Sequence, residues 1–302
     1  MTLVVSRFAP APTGFLHLGH VLNAVYVWGV TRAVGGRVLL RIEDHDRRRS
    51  RPEFERAILD DLDWLGFVAD EPSTDAFRAG SCAGRQSDRE AVHEEALGRL
   101  RAAGFVYVCE CSRSAIAGQT FPDELSPELR YPGTCRGKRL AERPGLGVRI
   151  TLDPSAEHFV DLRHGPQVQT PSEQCGDLLA RDRDGHWTYQ FAVTVDDAAQ
   201  GVTLVVRGDD LLASTGRQIQ LARLLGRSEP PRFLHHPLLM KTATQKLSKA
   251  DRDTSVRDLR MAGRSAADII GRAAYAAGLT DRDEPLPADR VAGLPAWSGL
   301  TG

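Results

Sequence analysis

The strongest constraint on this chain lies near its amino terminus. A short apolar run at 3–8 (LVVSRF) leads into a Pro/Gly-rich turn (APAPTGFLHLGH), a stretch with helical spacing (VLNAVYVWGVTRAVGG) and a second apolar run, RVLLRIED. Gly35 and Gly36 end the helix. Strand, glycine turn, helix and strand in that order make a βαβ unit, so the spacing predicts an α/β fold built on a parallel sheet.

The rest of the chain can support such a fold. With 302 residues, 41% hydrophobic and 26% charged, it has enough apolar surface for a buried core, which excludes overall disorder. Lys+Arg number 39 against 40 Asp+Glu, a formal charge of -1, so a nucleic-acid partner would need a local basic face. MTLVVSRFAP lacks the pattern of a secretory signal, and no run of about 18 apolar residues occurs; a cytoplasmic protein with no membrane partner is expected.

Further along, PEFERAILDDLDWLGF places Phe54, Ile58, Leu62 and Leu65 on one helical face, and a helix over 89–103 is ended by Gly104. From 106 to about 149 the chain turns to cysteine, proline and glycine punctuation, as in an insertion with its own small fold. Strand-like pieces return at GVRITL, HWTYQFAVTVDD and GVTLVVRG, a helix is expected over about 214–225, and PRFLHHPLLM reads as a buried strand. Helical segments over about 255–278 and a Pro/Ala/Gly-rich end complete the chain.

Two short motifs carry the chemistry. His17-Leu18-Gly19-His20 follows a strand and the Pro12-Thr13-Gly14 turn and opens a helix. A helix amino terminus offers N–H donors and partial positive charge, which suits a triphosphate, and two imidazoles three apart can donate to its oxygens. A helix cap with incidental histidines is the plain alternative. Lys246-Leu247-Ser248-Lys249 sits on a polar loop, where ammonium groups can neutralise charge as a phosphorus is attacked. The loop could also be merely solvated. Yet 35 of the 39 basic residues are arginine, and three of the four lysines (Lys138, Lys241, Lys246, Lys249) fall between 241 and 249. A lysine cluster in such a chain marks a need for compact point charges.

Together these motifs resemble the two signatures of the class I aminoacyl-tRNA synthetases, and Arg7 to His20 with Arg41-Ile42-Glu43-Asp44 resembles the glutamyl branch. The likeness continues through Asp60 to Gly66, Gln86-Ser87-Asp88-Arg89, Cys109 to Arg113, Tyr189 to Val193, Val195-Asp196-Asp197 and Val206 to Leu212, covering about residues 3 to 260. Only about fifty residues follow the lysine motif, where discriminating glutamyl-tRNA synthetases continue into a large helical anticodon-binding domain. The truncated core with its Cys-x-Cys…Tyr…Cys element is similar to the glutamyl-queuosine tRNA(Asp) synthetases, which attach glutamate to a modified base instead of the terminal adenosine.

The resemblance implies a class I Rossmann-like parallel sheet with a zinc-bearing insertion and a small helical carboxy-terminal part. The first half of the catalytic domain would span 1–105, an inserted zinc-bearing, acceptor-type subdomain 106–188, the second half 189–242, and the lysine-motif loop with the helical part 243–302. It implies that Arg7, the backbone around Ala9 to Ala11, Glu43, Tyr189 and Arg207 hold L-glutamate. Glutamate's two carboxylates and one ammonium are matched in charge by two arginines and one carboxylate, with Glu43 the partner of the α-ammonium; either arginine could take either carboxylate. His17, Gly19, His20 and Lys249 would hold ATP with its Mg²⁺, and His17, His20, Lys246 and Lys249 would stabilise the phosphates during reaction. Ala11 stands where the family usually has serine, and the lysine motif lacks its final serine.

The odd count of five cysteines (Cys82, Cys109, Cys111, Cys135, Cys175), three of them bunched, suggests a metal site sooner than a disulfide framework. The resemblance adds Tyr131 and implies one structural Zn²⁺ on Cys109, Cys111, Tyr131 and Cys135. The run Arg47-Arg48-Arg49-Ser50-Arg51 could pair RNA phosphates, or form local ion pairs with the adjacent Asp44 and Asp46; the helical region near 255–277 is a second candidate. The implied activity is a ligase reaction: activation of glutamate to glutamyl-adenylate without tRNA, then transfer to queuosine at the first anticodon position of tRNA(Asp). The alternatives are a short discriminating or non-discriminating glutamyl-tRNA synthetase that charges the tRNA 3′ end, an inactive RNA-binding paralogue, and a nucleotidyltransferase of small molecules.

Overall fold

The structure, a computed structural model, describes residues 3–118, 129–239 and 254–300. The expected βαβ unit is present as β1 (Val5–Phe8), α1 (Leu18–Ala33) and β2 (Arg37–Leu40), with β1 and β2 parallel and Arg7 opposite Leu39. β2 stops at Leu40, short of the whole RVLLRIED run, yet the backbone beyond it stays extended. Arg41 N–H donates to Phe8 C=O and Glu43 N–H to Pro10 C=O, which carries Glu43 across the top of β1. Gly36 is required by close approach, because a Cβ there would sit 2.7 Å from the Val4 carbonyl oxygen.

α2 (Pro52–Leu65) buries Ile58, Leu62 and Leu65 as its spacing predicts, and Phe54 meets Phe15 edge-on. The short α3 (Thr74–Arg78) and then α4 (Glu90–Ala102) follow. A small antiparallel sheet comes next, β3 (Val106–Cys109), β4 (Gly147–Ile150) and β7 (Leu178–Arg181), with α5 (Arg113–Ala117) beside it. This sheet is the frame of the expected insertion. Within the span 106–188, however, β5 (Glu157–Asp161) and β6 (Gly165–Gln169) leave it for a different sheet, shared with β8 (Leu204–Gly208) and β9 (Arg232–His236) and ordered β6-β5-β9-β8, where Asp161 of β5 lies parallel to Phe233 of β9. α6 (Pro171–Gln174) then leads back to β7.

HWTYQFAVTVDD does not form the expected strand. Tyr189–Ala199 is helix α7, and Thr188 precedes it in extended geometry. Its apolar residues also satisfy the helical period: Phe191, Ala192 and Val195 face one cluster with Leu97 and Leu221, from α4 and from α8 (Thr215–Leu224). The alternation of Trp187, Tyr189, Phe191, Val193 and Val195 with Thr188, Gln190, Ala192 and Thr194 reads as a strand, and packing overrides it. β8 (Leu204–Gly208) and β9 (Arg232–His236) run parallel in register, Arg207 opposite His235. Val5 C=O accepts from Thr203 N–H just ahead of β8, which sets β1 and β8 side by side. The Rossmann-like parallel arrangement is thus present, with β1, β2, β8 and β9 feeding one edge.

The helical segments expected over about 255–278 are α9 (Val256–Met261) and α10 (Ala266–Ala276), separated by Gly263 at φ +81°; each opens on a serine capping box. The segment after α10 packs back on α1: Trp297 is buried, donates to Val291 C=O at 2.6 Å, and lies against Gly29, where a Cβ would overlap the indole. Among the described residues no helix is long and apolar enough to cross a membrane.

Candidate functional site

A cleft of about 520 Å³ opens where β1, the start of α1, the end of β8 and the start of α7 converge. Arg7, Ala9, Ala11, His17, Gly19, His20, Glu43, Tyr189 and Arg207 all line it. Residues separated by two hundred positions therefore meet as the sequence implies. Lys246 and Lys249 lie outside the described residues, but Leu239 before them lines the same cleft. On the far side, Ser255 bridges to His17 and Val256 N–H donates to Leu16 C=O. The described residues flanking 240–253 on either side thus lie at this site.

The histidine motif is a capping box made of imidazoles. His17 is the N-cap of α1, and its Nδ1 accepts from Gly19 N–H at 3.1 Å, while His20 Nδ1 accepts from His17 N–H at 3.1 Å. An Nδ1 that accepts carries no proton, so both rings hold theirs at Nε2 and can donate from it. The helix cap is thus present, and it is compatible with donation from Nε2 to a phosphate. Gly19 is required here, since a Cβ would lie 2.9 Å from His17 Cε1. We expect Gly19→Ala to displace that ring and raise the ATP KM about tenfold, the scale of one hydrogen bond to a charged group, with the glutamate KM unchanged. Parallel ATP and glutamate titrations check this.

The opposite wall is a buried charge network. Asp197 Oδ1 accepts from Arg7 Nε at 3.0 Å and from an Arg41 terminal nitrogen at 2.8 Å; Arg41 also donates to Glu43 Oε1 at 3.0 Å. All four side chains are nearly inaccessible. Burial pushes the Asp197 carboxyl up, but the charges of Arg7 and Arg41 outweigh it and hold it below the ordinary carboxylate range. Arg207 differs. It is 4% exposed and donates to Gln218 Oε1 at 2.6 Å, Thr215 Oγ1 at 2.9 Å and His235 Nε2 at 2.9 Å, all neutral acceptors. Among the described residues no carboxylate pairs with it, and burial lowers its pKa. Of the three guanidiniums in this wall, Arg7 and Arg41 contact carboxylates and Arg207 contacts none. Tyr189 closes the wall between Glu43 and Arg207, and burial with the nearby Glu43 raises its pKa, so its hydroxyl stays protonated.

Sequence reasoning gave no role to Arg41, Asp197, Asp161 or His235, although Arg41 and Asp197 lie inside the motifs that carried the resemblance. What marks them is burial of a charge, which spacing does not reveal. Asn23 and His236 also reach the cleft, 2.9 Å apart.

The cysteine cluster forms a second centre. The Sγ atoms of Cys109, Cys111 and Cys135 lie within 4.8 Å of one another, those of Cys111 and Cys135 at 3.5 Å, and the Tyr131 hydroxyl is 3.5 Å from Cys109 Sγ. Thiolates about 2.3 Å from a tetrahedral zinc would lie roughly 3.8 Å apart, so the donor set fits a closed four-ligand site. Gly176, at φ +67°, lets the chain pass against the Tyr131 backbone, where any Cβ would collide, and Arg149 stacks 3.7 Å over the Tyr131 ring. Cys82 lies elsewhere, and Cys175 donates from Sγ to Pro171 C=O at 3.2 Å while its own carbonyl accepts from Tyr131 N–H.

The arginine run 47–51 makes local contacts. Arg47 pairs with Asp44 at 3.1 Å, Arg49 with Asp46 at 2.6 Å, Arg48 with Asp184, and Arg51 donates to the carbonyls of Arg48 and Ser50. Its arginines are engaged within the protein.

Comparison with known proteins agrees with this geometry. The family of class I tRNA synthetases (E and Q), catalytic domain, matches residues 3–268. Glutamyl-Q tRNA(Asp) synthetase of Symbiobacterium thermophilum is 42% identical over 96% of this chain and 91% of its own length; the same-named protein of Nitratidesulfovibrio vulgaris is 40% identical over 99% and 94%. A crystal structure of a glutamate tRNA ligase from Elizabethkingia meningosepticum in complex with its amino acid superposes with a TM-score of 0.77 at 25% identity, covering 97% of this chain. The chain spans only 64% of that ligase. The chain belongs to the class I tRNA synthetase (E and Q) catalytic-domain family, within its glutamyl-Q tRNA(Asp) synthetase branch, and is a ligase of that class.

Proposed function

We propose that the enzyme activates L-glutamate with Mg-ATP without tRNA and then transfers the glutamyl group to queuosine at the first anticodon position of tRNA(Asp). The observation that carries the first half is Arg207, a buried cation with neutral partners only, in a cleft whose other end is an N–H-rich helix start. Burying a charge without a counter-charge is costly unless a ligand supplies one. Arg207 offers a glutamate carboxylate a cation with no contacting counter-charge, and Glu43 faces the cleft to take the ammonium. The acceptor is supported by the names of the relatives and by their full-length match.

In this reading Arg7, Arg207 and Tyr189 hold the two carboxylates, and the Ala9 to Ala11 backbone borders the ligand. The α-carboxylate oxygen attacks the α-phosphorus, forming the O–P bond as pyrophosphate leaves. Nε2–H donors of His17 and His20, the α1 N–H groups, and Lys246 and Lys249 stabilise the charge. A hydroxyl of the queuosine cyclopentenediol then displaces AMP from the glutamyl carbonyl. Zinc bound at Cys109, Cys111, Tyr131 and Cys135 would hold the small sheet together and stay outside the chemistry.

Glutamate-dependent ATP–pyrophosphate exchange without tRNA, beside glutamine and aspartate, tests the reading. Exchange with glutamate alone is expected. Exchange only after adding tRNA(Glu) would instead identify a short glutamyl-tRNA synthetase. For the metal, protein purified without added zinc is expected to carry about one equivalent, lost in the Cys109→Ser, Cys111→Ser double variant; equal content in both would remove the site.

A further inference from the structure

Asp161 and His235 are fully buried and have no part in the chemistry above. His235 Nδ1 lies 2.7 Å from Asp161 Oδ2, and its Nε2 lies 2.9 Å from Arg207 Nε. A guanidinium Nε has a hydrogen to give and no lone pair, so His235 Nε2 must accept. The ring proton is then at Nδ1, donated to Asp161. Asp161 is saturated as an anion: Oδ1 accepts from the N–H groups of Arg163 and His164 at 3.0 Å each, and Oδ2 from His235 N–H at 3.1 Å. Burial pushes this carboxyl up, but the His235 and backbone donors hold it below the ordinary range.

A negative charge therefore reaches Arg207 only through a neutral imidazole. Arg7 shows the other solution, a carboxylate in direct contact. Direct pairing at Arg207 would neutralise the cation and compete with an incoming carboxylate. A neutral acceptor fixes the guanidinium plane and leaves its charge available.

We propose that Asp161 and His235 form a positioning relay, which locks His235 in the tautomer that accepts from Arg207 Nε and holds that guanidinium oriented for the carboxylate of glutamate. This inference rests on the assignment of Arg207 to glutamate. The groups facing His235 are Asp161 from β5, Arg207 from β8, Thr215 at 3.3 Å from the start of α8, and, at longer range, Asp209. Protonation at Nε2 would set N–H against N–H in a buried site. Burial holds the His235 pKa below its ordinary value, with Asp161 opposing, so the neutral ring prevails at neutral pH. Glutamate binding should weaken as pH falls below the ordinary imidazole range.

The test is pyrophosphate exchange with glutamate and ATP titrations from about pH 5 to pH 8, across the range in which a histidine titrates. His235→Ala is expected to raise the glutamate KM about 10- to 30-fold, as for a lost hydrogen bond to a charged group, and to leave the ATP KM unchanged. The amide oxygen of His235→Gln can accept from Arg207 Nε but cannot titrate, so this variant should recover most of the KM and lose the acid-side rise. Asp161→Asn, which no longer fixes the tautomer, should raise the glutamate KM with the ring still present. An unchanged glutamate KM in His235→Ala, an equal rise in the ATP KM, or the wild-type acid limb in His235→Gln overturns the relay. Should His235→Ala fail to fold, the other two variants decide. Arg207→Ala is measured alongside: a normal glutamate KM there removes the Arg207 assignment itself, whereas a raised KM there with a normal one in the His235 variants removes only the relay.

Discussion

Replacing Arg207 with alanine is expected to raise the glutamate KM in pyrophosphate exchange by roughly 10²–10³, the cost of removing one partner of a desolvated, hydrogen-bonded charge pair. The ATP KM should not move, because the helix start that faces the phosphates is built from His17, Gly19 and His20. What distinguishes this side chain from other buried arginines is its effect on the free protein. Arg7 and Arg41 are paired with Asp197, so removing either leaves a buried carboxylate short of a cation. Arg207 is held by Gln218, Thr215 and His235, none of them charged, so its removal relieves a desolvated cation while leaving three acceptors short of a donor. These effects oppose each other, and the melting temperature without ligand should change little. Glutamate should raise the Tm of the wild type and not of the variant. A Tm collapse without ligand would make Arg207 a structural residue, and an unchanged KM would move the carboxylate to Arg7.

The contrast among these arginines also shows where the sequence is legible. The βαβ unit, the helix-capping histidines and the cysteine cluster are written locally, because glycine turns, N-caps and closely spaced thiols act over a few positions. Arg7, Glu43, Tyr189 and Arg207 were reachable only through family resemblance, since strand ends 200 residues apart share no local signal. α7 was misread as a strand because Trp187, Tyr189, Phe191, Val193 and Val195 alternate with Thr188, Gln190, Ala192 and Thr194, a period-2 pattern that contacts with α4 and α8 override. The partners of Arg207 were invisible for a related reason. Asp161 sits in β5, inside the span read as insertion, and comes to the site only because β5 crosses to pair with β9. A sequence shows that His235 exists; the parallel register of β8 and β9 places it opposite Arg207.

The largest loss of stability is expected from Asp197→Asn. Its carboxylate joins Arg7 from β1 to Arg41 beyond β2, and all three groups are nearly inaccessible. Asparagine preserves the shape and can still accept, but leaves two buried guanidiniums with Glu43 as their one contacting carboxylate, itself bound to Arg41. Removing one member of a buried ion pair costs about 3–5 kcal/mol. For a chain of this size that corresponds to a Tm decrease on the order of 10 °C. The pH dependence gives an independent reading. The folded pKa of Asp197 is depressed, so its contribution is fully present above the unfolded carboxylate range and is lost as pH falls through the folded value. Asp196 behaves alike: burial raises it, but its hydrogen bond to His93 and the charge of Arg41 bring it down to about 2. Wild-type Tm should therefore drop steeply as pH is lowered from about 4 toward 2, and the Asp197→Asn variant, already without one of these carboxylates, should show a shallower acid slope. Equal slopes in the two proteins would mean that Asp197 titrates no differently folded than unfolded. The Arg7–Asp197–Arg41 bridge would then be geometry without energetic consequence. The same substitution loosens Arg7 at the cleft wall, so the glutamate KM should rise with the loss of stability, whereas Arg207→Ala separates the two.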